Sequence, residues 1–155
     1  MTALLNIQSS IQNYSVYVVE NALEHIEKEL CNGAFIIIDE NIYNLYYSES
    51  ILKKFPNNFL LIEPSEKNKS LDKCKEIIEI MVNQNIRRNQ KIVAIGGGIT
   101  QDVTAFISSV YLRGVEWSFF PTTLLAQADS CIGGKTSINL NDIKNILGGF
   151  KPPRK

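Results

Sequence analysis

Apolar positions along this chain fall into short β-branched runs separated by stretches of helical period. Tyr14 to Val19 reads as a strand, and Asn21 to Cys31 as a helix, with Leu23, Ile26 and Leu30 on one face and Gly33 just past its end. Ala34-Phe-Ile-Ile-Ile-Asp39 is a continuous apolar run ending in an acid, the pattern of a strand buried on both faces of a parallel sheet. A short helix over Ile42 to Lys53, a strand over Asn58 to Ile62 and a helix over Ser70 to Asn85 follow. The last carries Leu71, Cys74, Ile77, Ile78 and Met81 on one face, with Ser70 placed to cap it. Lys91 to Ile95 is another strand and runs straight into Gly96-Gly97-Gly98. A helix over Gln101 to Leu112 and a strand over Glu116 to Phe120 complete the alternation.

Strands alternating with helices predict an α/β fold: a Rossmann-like, open, mainly parallel sheet with flanking helices, whose ligands sit at the carboxyl ends of the strands. The three glycines lie at such an end. No repeat, low-complexity tract or linker divides Met1 to Phe120, and 155 residues leave room for one ordinary domain. After Phe120 the pattern changes.

Composition narrows the function classes. Sixteen Lys and Arg balance sixteen Asp and Glu, so nothing suggests a nucleic-acid-binding surface. The balance is uneven, however: Ser130 to Lys155 carries Lys135, Lys144, Lys151, Arg154 and Lys155 against one acid, Asp142. That segment either attracts an anionic ligand or is a solvated basic tail. Cys31, Cys74 and Cys131 are widely spaced and odd in number, so a disulfide framework is not indicated and a reducing, cytoplasmic setting is expected. The one histidine, His25, sits between Glu24 and Ile26 on the first helix, reads as structural, and excludes a histidine-rich zinc site in this chain. No leader-like segment or bilayer-length apolar run is present, and no membrane partner is expected.

Three places could carry chemistry. Gly96 to Gly98 lets backbone N–H groups approach a pyrophosphate at a helix start, although the spacing is not GxGxxG and a plain structural turn explains it equally well. Asp102 then either caps the helix or holds a cofactor or substrate group. Pro121-Thr122-Thr123 places two hydroxyls where they either cap a helix or bind a phosphate or ribose. Asp129-Ser130-Cys131-Ile132-Gly133-Gly134-Lys135-Thr136 sets a carboxylate and a lysine around a glycine turn. It imitates the end of a P-loop, but the required upstream glycine is Asp129, which argues against a Walker-type site.

Together, Gly96-Gly-Gly-Ile-Thr-Gln-Asp102, Arg113-Gly114, Pro121 to Ser130, Gly133-Gly-Lys-Thr136, Asn139 and Lys144-Asn145 resemble the 3-dehydroquinate synthase family in order and spacing. Ile36 to Asn41 and Glu63 to Ser70 extend the resemblance over most of the chain. It implies that residues 1–155 form an NAD-binding α/β domain, the N-terminal part of a two-domain enzyme. In the family a helical C-terminal domain, absent from this chain, carries a divalent metal, zinc or cobalt. It also implies a shikimate-pathway lyase that converts 3-deoxy-D-arabino-heptulosonate 7-phosphate, a phosphorylated sugar acid, to 3-dehydroquinate and phosphate, acting as a homodimer.

By matching position, the resemblance implies NAD contacts at Asp39, Asn41, Glu66, Lys69, Gly97, Gly98, Ile99, Asp102, Thr122, Thr123 and Lys144. Substrate contacts are implied at Asp129, Lys135 and Asn145, with Arg113 offered to the substrate phosphate of a neighbouring subunit. Cationic donors suit a phosphorylated acid. No metal ligand is assigned in this chain, and no residue is assigned to the chemical step. The chain ends before the family's metal-ligating glutamate and histidines, so by itself it is expected to be inert.

Two departures stand out, since the family usually has glycine where this chain has Gln101 and Ala105. Both are expected to add side chains beside the dinucleotide loop, and they leave open a related sugar-phosphate cyclase of secondary or surface-polysaccharide metabolism. A non-catalytic nucleotide-binding or oligomerising module is the other alternative.

Overall fold

The computed structural model describes residues 3–47 and 57–154. Its centre is a four-stranded parallel sheet of β3 (Phe35–Asp39), β4 (Phe59–Ile62), β5 (Ile92–Gly96) and β6 (Trp117–Pro121), in the order β4-β3-β5-β6. The continuous apolar runs are the cause. Phe35, Ile36, Ile37 and Ile38 are all fully buried, alternate residues feeding opposite layers, each contributing about 1.5–3 kcal/mol of burial. Phe35, Ile37, Ala94, Trp117 and Phe119 pack with α3 (Leu71–Asn83) and α4 (Gly98–Val110), whereas Ile36, Ile38, Val93 and Ile95 pack with α1 (Ala22–Cys31).

The helix ends follow local chemistry. Asn21 caps α1 by accepting from the Glu24 amide, and Ser70 caps α3 by accepting from the Lys73 amide at 3.2 Å. The helix expected from Ile42 begins earlier, as α2 (Glu40–Ile42), because Asp39 Oδ1 accepts the amides of Asn41 and Ile42. It continues as a π-helical stretch over Tyr43–Tyr47, and the rest of that expected helix lies outside the described residues. Likewise α4 starts at Gly98, three residues before the expected Gln101, since Gly97 serves as its cap. It ends at Val110. Leu112, Arg113 and Gly114 then adopt positive φ to turn the chain into β6.

Two hairpins flank the sheet. The strand expected over Tyr14 to Val19 is β2 (Tyr14–Tyr17) and does not join the parallel sheet; it pairs antiparallel with β1 (Ala3–Ile7). Among the residues of β2 only Tyr14 is buried, so the segment lacks the two-sided burial that a central position requires. The changed pattern after Phe120 resolves into β7 (Lys135–Leu140) and β8 (Ile143–Phe150), an antiparallel pair. Here the strands touch closely: a Cβ on Gly148 would overlap the Thr136 carbonyl oxygen.

The cysteines sit in three environments, which predicts their reactivity. Cys31 is exposed, Cys131 is half-buried with its thiol pushed up by burial, and Cys74 is fully buried with its thiol pushed up to about 12. Iodoacetamide at pH 8 is therefore expected to alkylate Cys31 first, Cys131 slowly and Cys74 only on unfolding. Peptide mass spectrometry over time checks this order, and early labelling of Cys74 would contradict the packing of α3.

Candidate functional site

The carboxyl ends of β3, β5 and β6 converge on the glycine turn. Asp39 closes β3, is 6% exposed, and lies against Gly96, where an added Cβ would come within 3.0 Å of its Cβ. No other described residue engages its second carboxylate oxygen, and Asn41 is exposed beside it. On the far side the Thr122 amide donates to the Gly96 carbonyl at 2.9 Å, and a Cβ on Gly97 would reach 3.0 Å from the Thr123 methyl. Thr123 also caps the following turn, its hydroxyl accepting from the Ala126 amide, so capping explains that hydroxyl. Thr122 Oγ1 is buried without a partner.

Gly98 opens α4 with no side-chain cap before it, and a Cβ there would meet no atom within 4 Å. Its neighbour Ile99 is half-buried in the same turn. Bare backbone, uncapped amides and the positive end of a helix of 13 residues make a cradle for an anion. This fits a dinucleotide pyrophosphate, with the Asp39 carboxylate near enough to the turn to accept ribose hydroxyls.

A polar network joins α4 to the β7–β8 hairpin and to the loop before α3. Lys69, 8% exposed, lies 2.6 Å from Asp102 Oδ2 and donates to Asn145 Oδ1 at 2.6 Å. Asp102 also accepts from the Ser137 amide, and Thr136 donates its hydroxyl to the Asp102 carbonyl. Burial pushes the Asp102 carboxyl up from its ordinary range; the Lys69 ammonium and the Ser137 amide pull it down without cancelling that effect. Asn145 is held at φ 56 beside a register shift in the hairpin, its amide donating to Asn139 Oδ1 at 2.9 Å. Asn139 in turn donates to Glu66 Oε1 at 2.9 Å, and its backbone amide donates to the Lys69 carbonyl.

Glu66, Lys69, Asp102 and Asn145 are thus gathered into one network, as Asp39, Gly97, Gly98, Thr122 and Thr123 are around the glycine turn. Asp129, Lys135 and Lys144 are exposed, and neither lysine makes an ion pair among the described residues. Lys135 opens a strand, not a helix, which agrees with the rejection of a P-loop. Arg113 lies elsewhere: at the far end of α4, about 20 Å along the helix from Gly98, beside Arg88 at the amino ends of the strands. The basic segment is also divided, because Arg154 pairs with Glu116 and Lys151 lines a depression of about 640 Å³ at that opposite end. Strand polarity places dinucleotide chemistry at the carboxyl ends, so that depression is not the candidate site.

Several residues escaped sequence reading. Asn139 links Glu66, Lys69 and Asn145, and its place in the resemblance was the only signal for it. Tyr14 accepts the Gly133 amide at 2.7 Å across 119 positions, which no local pattern foretells. Gln101 and Ala105 correct an expectation. Both are buried, Ala105 within the core, and Gln101 bonds to Ser130, so neither crowds the open side of Gly98. Among the described residues no three His, Cys, Asp or Glu side chains are grouped to hold a metal ion, and no helix is long and apolar enough to cross a membrane.

Comparison with solved structures places this architecture. A 2-deoxy-scyllo-inosose synthase complexed with carbaglucose-6-phosphate, NAD+ and Co2+ superposes with a TM-score of 0.80 at 26% identity, over 97% of this chain and 44% of its own. A 2-epi-5-epi-valiolone synthase from Streptomyces hygroscopicus subsp. jinggangensis, with NAD+ and Zn2+ bound, gives 0.77 at 27% identity, over 99% and 43%. The fold is thus the one these sugar-phosphate cyclases have in the part that matches this chain. Residues 59–155 match the family described as 3-dehydroquinate synthase N-terminal, and the chain belongs to that family. Among curated relatives, 3-dehydroquinate synthase of Pelagibacter ubique is 37% identical over 96% of this chain, and that of Alkaliphilus metalliredigens 34% over 97%. The chain spans 43% of the length of each.

Proposed function

We propose that this chain is the NAD-binding domain of a 3-dehydroquinate synthase, which turns 3-deoxy-D-arabino-heptulosonate 7-phosphate into 3-dehydroquinate and phosphate in the cytoplasm, as a homodimer. The observation that carries the cofactor assignment is the uncapped, unobstructed turn at Gly98, with Asp39 on one side and the Lys69–Asp102–Asn145 network on the other. The substrate assignment is supported by the 34–38% identity to four curated 3-dehydroquinate synthases, against 26–27% to the inosose and valiolone synthases.

In this reading bound NAD would supply the hydride acceptor for oxidising the sugar carbinol and the hydride donor for the later reduction. The chain's own residues bind and orient. The first amides of α4 hold the pyrophosphate, Asp39 accepts from ribose hydroxyls, and Lys69 and Asp102 fix the side of the cofactor facing the hairpin. Asp129, Lys135 and Asn145 hold the hydroxyls and anionic groups of the sugar acid. Arg113, remote from them in this chain, serves the phosphate site of the second subunit. A divalent metal belongs to the remainder of the complete protein. That remainder also covers Ile143, Ile146 and Phe150 on β8 and Leu124 and Leu125 ahead of Asp129, all apolar and exposed.

A second reading, a cyclase of another phosphorylated sugar, draws on Gln101, whose side chain reaches the turn carrying Asp129. One assay separates them. The complete gene product is expected to cyclise 3-deoxy-D-arabino-heptulosonate 7-phosphate with release of phosphate, and to leave sedoheptulose 7-phosphate and glucose 6-phosphate unchanged. Turnover of either of those in its place would overturn the synthase reading. The 155-residue chain alone should bind NAD in a calorimetric titration without turnover.

A further inference from the structure

We infer that Gln101 is a positioning residue for substrate: it locks the segment bearing Asp129 onto the first turn of α4 before any ligand arrives. The inference rests on the cyclase reading above for the role of Asp129. Gln101 is 2% exposed, and its Nε2 donates to the Ser130 carbonyl while its Oε1 accepts from the Ser130 hydroxyl at 2.7 Å. A carbonyl oxygen can only accept, so this pairing fixes which end of the glutamine amide faces it. Both ends of one side chain are spent on one residue.

What lies on each side of the lock gives it meaning. The Gln101 amide donates to the Gly97 carbonyl at 3.0 Å, and the next residue is Asp102, tied to Lys69 and Ser137. Gln101 is therefore anchored directly to the cofactor turn. On the other side, Ser130 lies between Asp129 and a turn that contains Gly133 at φ 117 and Gly134 at φ 66. The Ile132 amide donates back to the Asp129 carbonyl, and the Gly133 amide donates to the Tyr14 hydroxyl. The Asp129 carboxylate is exposed and no described residue holds it, so its position is set through its backbone, which the π-helical turn Ala126–Ser130 shapes and Gln101 fixes to α4 at Ser130.

An apolar side chain of similar size would fill the same space but leave the Ser130 carbonyl and hydroxyl without that partner. A glycine would leave the space and both groups empty. Ordering the turn in advance removes an entropic cost from binding the phosphorylated sugar acid, without touching the dinucleotide. Ground state and transition state share that benefit, so its loss is read in KM and not in kcat.

The test uses the complete gene product with heptulosonate phosphate and NAD. Gln101→Leu should raise the KM for the sugar acid about tenfold, the loss of two modest hydrogen bonds, with kcat and NAD affinity each within about twofold. Gln101→Glu should resemble Gln101→Leu at pH 8 and regain low KM as pH falls, because a protonated carboxyl reproduces the donor and acceptor of the amide. Should Gln101→Leu fail to fold, Ser130→Ala removes one of the two bonds and should raise KM about threefold. In the 155-residue chain, Gln101→Leu should speed hydrogen exchange at Cys131 to Gly133 and leave the interior of α4 unchanged. Unchanged KM in an active enzyme, unchanged exchange in that turn, or a parallel loss of NAD affinity would each overturn the inference while the cyclase reading stands. An unsubstituted protein that cyclises no phosphorylated sugar would sink the cyclase reading first, and the substrate role of Gln101 with it.

Discussion

Alanine at position 98 is expected to leave the chain at least as stable as before and to weaken NAD binding about 100-fold, close to 2.7 kcal/mol. The two halves of that result have separate causes. Gly98 is exposed at the start of α4, its φ is not positive, and an added Cβ would meet nothing within 4 Å, so a methyl group costs the unliganded fold nothing. Alanine is also the better helix former, which favours the variant by up to about 1 kcal/mol. The methyl would, however, stand where a pyrophosphate must approach the first amides of the helix. Gly97→Ala is a poorer probe because its Cβ would press on Thr123 at 3.0 Å, mixing strain in the fold with loss of the ligand. Calorimetric titration beside thermal unfolding separates these terms for Gly98→Ala. Unaltered affinity would mean that no dinucleotide rests on this turn.

Replacing Lys69 by methionine should destabilise the chain by about 2 kcal/mol at pH 8, with the deficit shrinking as pH falls. The side chains of Lys69 and Asp102 are 11% and 21% exposed, so removing the ammonium strands a largely buried carboxylate. The Asp102 carboxyl already titrates above its ordinary value of 3.8 because burial outweighs Lys69, and without Lys69 it titrates higher still. A carboxyl raised in the folded state stabilises that state fully below the unfolded pKa and loses the contribution as pH rises through the folded one. The variant therefore suffers most where Asp102 is ionised and recovers towards the parent as the group protonates. Urea unfolding at pH 8 and near pH 4 reads the difference. A deficit independent of pH would assign the loss to packing of the lysine stem and not to its charge.

The parallel sheet was legible because strands covered on both faces are written as unbroken apolar runs, as in Phe35 to Ile38 and Ile92 to Ile95. The β7–β8 hairpin was not. Every residue of β8 except Leu147 is exposed, and the register shift near Asn145 removes the alternation that marks a half-buried strand. At the candidate site, the glycine turn and its threonines could be read locally. The Lys69–Asn145 and Asn139–Glu66 contacts join positions 76 and 73 apart, and nothing near any of these residues in sequence announces the partner. Gln101 shows the same limit. Its type and place suggested an obstruction, and only the position of Ser130 beside it, 29 residues later, turns the side chain into an anchor.

The bond between Tyr14 and Gly133 also sets an order of events during synthesis. A ribosome adding 5–20 residues per second needs roughly 6–24 s to make the 119 positions between them. Throughout that interval the first hairpin has been made but its partner turn has not, and Leu4 and Leu5 stay exposed even in the finished fold. For those seconds the first hairpin lacks its anchor to the glycine turn, and the hazard on the way to the native state is association of nascent copies through that exposed apolar surface.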